Sequence, residues 1–133
     1  IEDLILDVGA VPIEMTVAEH DRSVAMISHV PQLVASAMAA RLRDASNGAV
    51  GLAGQGVRDV TRIAASDPGL WVQILSANAE PVAQILRGVR DDVDALLAAL
   101  ADPEAPGSRR ALAELIAAGN AGVARIPGKH GTD

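Results

Sequence analysis

The segment TVAEHDRSVAMISHVPQLVASAMAARLRD, residues 16–44, decides the fold class. Thr16 stands three residues before Glu19, the spacing at which each side chain can satisfy a free backbone N–H of the other at a helix start. A helical pattern continues from there to about Asp44, and Ser-Asn-Gly at 46–48 stops it. On that helix His20, Val24, Ile27, Pro31, Val34 and Met38 share one stripe, which reads as the core face, with His20 as a helix-entry and packing histidine. Asp21, Ala25, Ser28, Gln32, Ala35 and Ala39 share another, with His29 at its side. Small and polar residues beside a histidine read as a wall that faces either a ligand or another helix. Pro31 removes one backbone donor and is expected to kink the axis there.

Composition points the same way. Half of the 133 residues are hydrophobic, yet Trp71 is the sole aromatic among Phe, Trp and Tyr. The core must therefore be built from Ala, Val, Leu, Ile and Met, a set that suits close helix packing better than strands. There is no Cys, which excludes disulfides, thiolate metal sites and a cysteine nucleophile. The net charge is −6 and the basic residues form no stripe, so no nucleic-acid partner is expected. No uninterrupted apolar run reaches the roughly 18 residues that span a bilayer, and the acidic start IEDLILDVGA is unlike a secretory signal. A cytoplasmic location without membrane contact is the corresponding expectation. The chain starts at Ile1 in mid-pattern, as a piece of something longer would.

Along the rest of the chain, residues 2–8 suggest a turn or two of helix. GAVGLAGQG at 48–56 reads as a flexible connection rather than a dinucleotide loop, because its glycines lack the G-x-G-x-x-G order and no strand precedes them. A helix is expected from about Val57 to Ala65, then one capped by Ser66 or Asp67 with Pro68 in its first turn. Another should start near Pro81, its apolar positions Ile85, Val89, Val93, Leu96, Leu97 and Leu100 following the helical period. Ser108 would cap a last helix, leaving residues 127–133 as an irregular tail. The whole reads as an all-α domain.

A second polar cluster lies in GVRDVTRIAASDPGLW, residues 56–71. Arg58 and Arg62 are four apart and Asp59 and Arg62 three apart, so all can share a helix face. That arrangement is either a surface ion pair or an Arg fork, braced by Asp, of the kind that binds a carboxylate bidentately.

The two clusters together resemble the C-terminal helical domain of the prephenate and arogenate dehydrogenase family, its actinobacterial members in particular. The family pattern H-D-x-x-x-A-x-x-S-H-x-P is matched by His20, Asp21, Ala25, Ser28, His29 and Pro31. The pattern R-D-x-T-R-[IL]-A-x-S-D-P-x-[ML]-W is matched by Arg58, Asp59, Thr61, Arg62, Ile63, Ala64, Ser66, Asp67, Pro68, Leu70 and Trp71, with Asn78 seven residues on. The resemblance covers residues 1 to about 100. It implies a dimerisation fold of the 6-phosphogluconate-dehydrogenase-like type over residues 1–126, with a Rossmann domain that this chain does not contain.

The activity implied is NAD- or NADP-dependent oxidative decarboxylation of prephenate to 4-hydroxyphenylpyruvate, or of arogenate, in tyrosine biosynthesis. The general-base histidine would lie in the absent domain, so the chain alone is expected to be inactive. Carried over by position, Arg62 would grip a carboxylate of the substrate or of tyrosine as feedback inhibitor, and Asp59 would orient that guanidinium. His29 would face the substrate ring, and Trp71 would line or support the pocket. Ser28, Pro31 and Arg58 would support the site, and a homodimer is implied. Gln32 stands where many members carry a second histidine; an amide can bond a ligand but cannot become cationic. Val57 and Gln55 are further departures. The tail GNAGVARIPGKHG resembles the segment that leads toward an ACT-like domain.

Overall fold

The computed structural model describes residues 1–128. Every regular element among them is helical: α1 (Glu2–Asp7), α2 (Val17–Val24), a π-helical segment (Ala25–His29), α3 (Val30–Leu42), α4 (Asn47–Gly51), α5 (Gln55–Thr61), a 3₁₀ turn (Arg62–Ala64), α6 (Pro68–Ala77), α7 (Ala79–Ala101) and α8 (Ser108–Val123). The expected tail at 127–133 is irregular at residues 127 and 128, and its remainder lies outside the described residues. The chain divides into two compact units, residues 1–85 and 86–133, and the division falls inside α7.

In the first unit the capping box forms as its spacing predicts. Glu19 N–H donates to Thr16 Oγ1 at 3.2 Å, and Thr16 N–H donates to a Glu19 carboxylate oxygen at 2.7 Å. The same carboxylate accepts from the Thr16 hydroxyl at 2.8 Å, and these bonds hold the Glu19 carboxyl below its usual range.

Pro31 does not end the helix. The chain widens by one residue just before it, so that Val30 N–H bonds Ala25 C=O, five residues back. A proline inside an α-helix clashes with the carbonyl four residues earlier. The π turn absorbs that conflict, and a π-bulge is itself a recognised cause of axis bending. Helix therefore continues from Val17 to Leu42, and an 18-residue window of it has mean hydropathy 1.3. By length and composition this is long enough to cross a bilayer although no uninterrupted apolar run is, a test that core helices of soluble proteins also pass. The polar residues that break those runs are folded into the same helix, and His29 and Gln32 make their contacts with other parts of this unit.

The structure also overturns the predicted core stripe. Ile27 is 74% exposed, and Val34, Met38 and His20 are exposed too. The buried side is the one with small residues: Ala25 at 0%, Ala35 at 3% and Gln32 at 6% exposure, with Val30 beside them. Ala25, Gln32 and Ala35 belong to the second stripe of the same helical count, so periodicity separates the two faces and packing against α5 and the 3₁₀ turn buries the small-residue one. Small side chains also let α3 approach α5 and the 3₁₀ turn closely, the second of the two roles open to that wall. Val82, near the start of α7, completes the buried apolar set of this unit.

The glycine-rich connection is more ordered than expected. Ser46 caps α4 by accepting from Ala49 N–H at 3.2 Å, and α5 already begins at Gln55. Asp67 caps α6, accepting from Gly69 N–H at 3.3 Å and Leu70 N–H at 3.1 Å, with Pro68 in the first turn as expected.

In the second unit, Ala99 of α7 is buried, while Val93, Leu97 and Leu100 are exposed. The cap of α8 is Gly107 rather than Ser108. Its φ of +87° is a left-handed conformation that glycine adopts without a Cβ clash. Arg90 pairs with Asp91 at 2.7 Å, Arg110 with Glu114 at 3.0 Å, and Arg109 with Glu104. The pairing with Asp91 raises the Arg90 pKa further.

Candidate functional site

The site is built where the π turn delivers His29. His29 closes the widened turn, half-buried, and its imidazole meets Trp71 of α6 edge to face, with ring centroids 6.2 Å apart and planes at 83°. Asn78, at the junction of α6 and α7, approaches from another side. Its Nδ2 donates to the Asp21 backbone carbonyl at 2.8 Å and lies 3.2 Å from His29 Nδ1. An amide nitrogen carries two hydrogens, so it can serve both acceptors at once. Asn78 is 9% exposed and, with Gln32, is one of two buried polar residues among those described.

Gln32 lies inside the fold. Its Nε2 donates to Ser36 Oγ at 3.3 Å, and its Oε1 lies 3.5 Å from Ser66 Oγ. Ser66 has one hydroxyl proton, and the Ile63 carbonyl at 2.6 Å takes it, so the longer contact is marginal.

The Arg cluster is solvent-facing. Arg58, Asp59 and Arg62 are all exposed. Asp59 accepts from Gln55 Nε2 at 2.7 Å, one turn back on α5, and among the described residues no ion pair joins it to Arg62. The helix tightens to 3₁₀ geometry at Arg62, which moves that side chain off the α-helical face it would share with Asp59. Thr61 bonds the Val57 carbonyl at 2.6 Å within the same element. Ser28 is exposed on the π turn and Pro31 half-buried just after it. His20 sits in the first turn of α2, as its helix-entry role requires, but it does not pack: it faces solvent with its Nδ1 3.3 Å from Asp21 Oδ1.

The structure thus brings together His29 of the π turn, Trp71 of α6 and Asn78 of the junction between α6 and α7. Asn78 had no assigned role in the sequence reading. Its signal was present, as the asparagine seven residues beyond Trp71, but nothing local says which side chain it would reach. Gln55 was likewise unassigned, and Ser66, one of two candidate caps of α6, yields that place to Asp67 and instead bonds the Ile63 carbonyl. Among the described residues no group of His, Asp and Glu is arranged to hold a metal. Nor do these residues fit a nicotinamide dinucleotide: there is no strand, and the glycines at 48–56 lie in and between short helices without a phosphate-cradling turn.

Comparison with known proteins follows the same lines. Residues 16–116 match the family described as prephenate dehydrogenase, dimerization domain. The chain is 34% identical to the probable prephenate dehydrogenase NovF of Streptomyces niveus, over 97% of its own length and 37% of that protein's. It is 33% identical to prephenate dehydrogenase of Bacillus subtilis strain 168, over 62% of its length and 23% of the relative's. It therefore spans little more than a third of the first of these relatives and less than a quarter of the second. Among solved structures, it superposes with TM-score 0.80 and 26% identity on a Corynebacterium glutamicum protein assigned as a prephenate dehydrogenase, covering 94% of this chain and 39% of that one. The Synechocystis arogenate dehydrogenase shares the fold, with TM-score 0.72 and 24% identity over 90% of this chain and 45% of that one. The helical elements, the order of both polar clusters and these likenesses agree: the chain belongs to the prephenate dehydrogenase dimerization-domain family.

Proposed function

We propose that this chain supplies the substrate-binding wall and the dimer contact of a cytoplasmic enzyme that oxidatively decarboxylates prephenate to 4-hydroxyphenylpyruvate, with arogenate as the alternative substrate. Residues 1–126 form the working domain. The observation that carries this reading is the assembly of His29, Trp71 and Asn78, all at positions of the family motifs and separated by up to 49 residues, around one imidazole. NAD or NADP, as hydride acceptor, is assigned to parts of the enzyme beyond these residues, and so is the general base.

In this reading His29 faces the substrate ring and Trp71 backs it. Arg62 grips a carboxylate of the substrate, or of tyrosine as a feedback ligand, through a planar fork that keeps its charge at any working pH. Asp59 and Arg58 shape the field around that fork, and Gln55 holds Asp59 in place. Ser28 and Pro31 define the turn that presents His29. Gln32 acts from inside, by bonding Ser36 one turn on in α3 and touching Ser66 beyond it. A second copy of the chain covers exposed apolar residues such as Ile27, since soluble proteins seldom leave so many large apolar side chains in water.

The test is a calorimetric titration of the chain and of Arg62→Ala with prephenate and with tyrosine. A charge-assisted hydrogen bond is worth about 1.5–3 kcal/mol, so the variant is expected to bind roughly 10- to 150-fold more weakly. Equal affinity of the two proteins for both ligands would overturn the clamp.

A further inference from the structure

Resting on the assignment of His29 to the ligand wall, we infer that Asn78 is a positioning residue that fixes which nitrogen of His29 carries the proton. The argument begins with the amide's orientation. A backbone carbonyl can only accept, so the Asn78 atom 2.8 Å from Asp21 O must be the nitrogen. Turning the amide over would set two carbonyl oxygens against each other inside a buried junction. The nitrogen so fixed is the atom that lies 3.2 Å from His29 Nδ1.

It presents its second N–H there, and Nδ1 can meet an N–H only with its lone pair. The neutral imidazole is then the tautomer with its proton on Nε2. Asn78 is 9% exposed, so little water competes for the contact, and Trp71 limits rotation of the ring from another side. The backbone participates as well: the same Asp21 carbonyl accepts from Ala25 N–H at the entry to the π turn that ends in His29. Orienter and oriented group are therefore tied to one turn of helix.

The consequence concerns ligand chemistry. A neutral His29 held in this way offers a donor, not an acceptor, at Nε2. It selects a ligand oxygen with a free lone pair, such as a carboxylate, carbonyl or hydroxyl oxygen. It cannot take a proton from a ligand at Nδ1 without losing Asn78.

The experiment is nitrogen-15 NMR of the three histidine rings in the whole chain, with His29 assigned through His29→Gln. Spectra are taken without ligand, about two pH units above histidine's ordinary range so that the rings are neutral. The expected wild-type spectrum has a proton-bearing Nε2 and a bare Nδ1. Asn78→Asp puts an acceptor against Nδ1 and should move the proton there. Asn78→Ala should replace the single form by an averaged one, and it serves as the decisive variant if Asn78→Asp does not fold. A proton on Nδ1 in the wild type would overturn the inference, as would ring-nitrogen shifts unchanged in both variants. Because no ligand is present, this outcome is separate from the fate of the Arg62 titration, which tests the binding role itself. Adding prephenate should then shift the Nε2 signal and leave Nδ1 in place.

Discussion

Inserting bulk on the small-residue side of the long helix should cost far more than removing bulk from its large-residue side. The perturbation is Ala35→Leu, compared with Ile27→Ser. Ala35 is 3% exposed and Ile27 is 74% exposed. Ala and Leu differ little in helix propensity, and Ile and Ser are nearly equal, so the comparison isolates packing. Three extra carbons at position 35 have no room between α3 and its neighbours, and overpacking of this kind costs about 1–3 kcal/mol. Ile27 has only about a quarter of its surface to lose, which at roughly 1.5–3 kcal/mol for full burial gives about 0.4–0.8 kcal/mol. For a chain of this length, 1 kcal/mol moves Tm by about 3.6 °C, taking roughly 2.1 cal/mol/K of unfolding entropy per residue. The expected losses are therefore about 4–11 °C for Ala35→Leu and about 1–3 °C for Ile27→Ser.

The assay is thermal unfolding by circular dichroism at two protein concentrations, with sedimentation giving the assembly state at each. The Ala35→Leu loss should be the same at both. A larger Ile27→Ser effect is expected only where the chain is dimeric, if the proposed dimer contact covers this residue. An Ile27→Ser loss as large as that of Ala35→Leu in the monomeric sample would refute the assignment of faces.

Three further perturbations probe the starts of α6 and α2. Asp67→Ala removes both side-chain acceptors at the start of α6 and should destabilise it by about 1 kcal/mol. Trp71 is the sole tryptophan and lies in the first turns of that helix, so its fluorescence should report the change directly. Thr16→Ala dismantles the capping box at the start of α2 and should cost a similar amount, seen as earlier loss of helical signal on heating. The Glu19 carboxyl is held below its ordinary range by Thr16, so its share of stability is complete at pH values above that range. It is lost as pH falls through the lowered value, on the acid side of the ordinary glutamate range, and this acid step should vanish from the titration of Glu19→Gln.

Much of the architecture was written locally. The capping box at Thr16 and Glu19, the Asp67–Pro68 start of α6 and the lack of any alternating strand pattern each rest on neighbours within four residues. Sequence inspection therefore reaches them, and it reaches the all-α class. The order of the His20–Pro31 and Arg58–Trp71 motifs also identifies the family without a fold.

What tertiary structure decided is which way the long helix faces and what His29 touches. Pro31 signals a disturbance, but whether the chain kinks, breaks or widens depends on what packs against it. Here it widens by one residue and the helix runs on, with Ala25, Ala35 and Gln32 buried by what packs against them and Ile27 left exposed. The Asp59–Arg62 spacing suggested a shared face, but the 3₁₀ turn at Arg62 redirected it, and Asp59 found Gln55. The bond between Asn78 and His29 joins residues 49 apart. Local patterns place each side chain on its own helix; only packing brings a distant amide onto one ring nitrogen and so settles where that ring carries its proton.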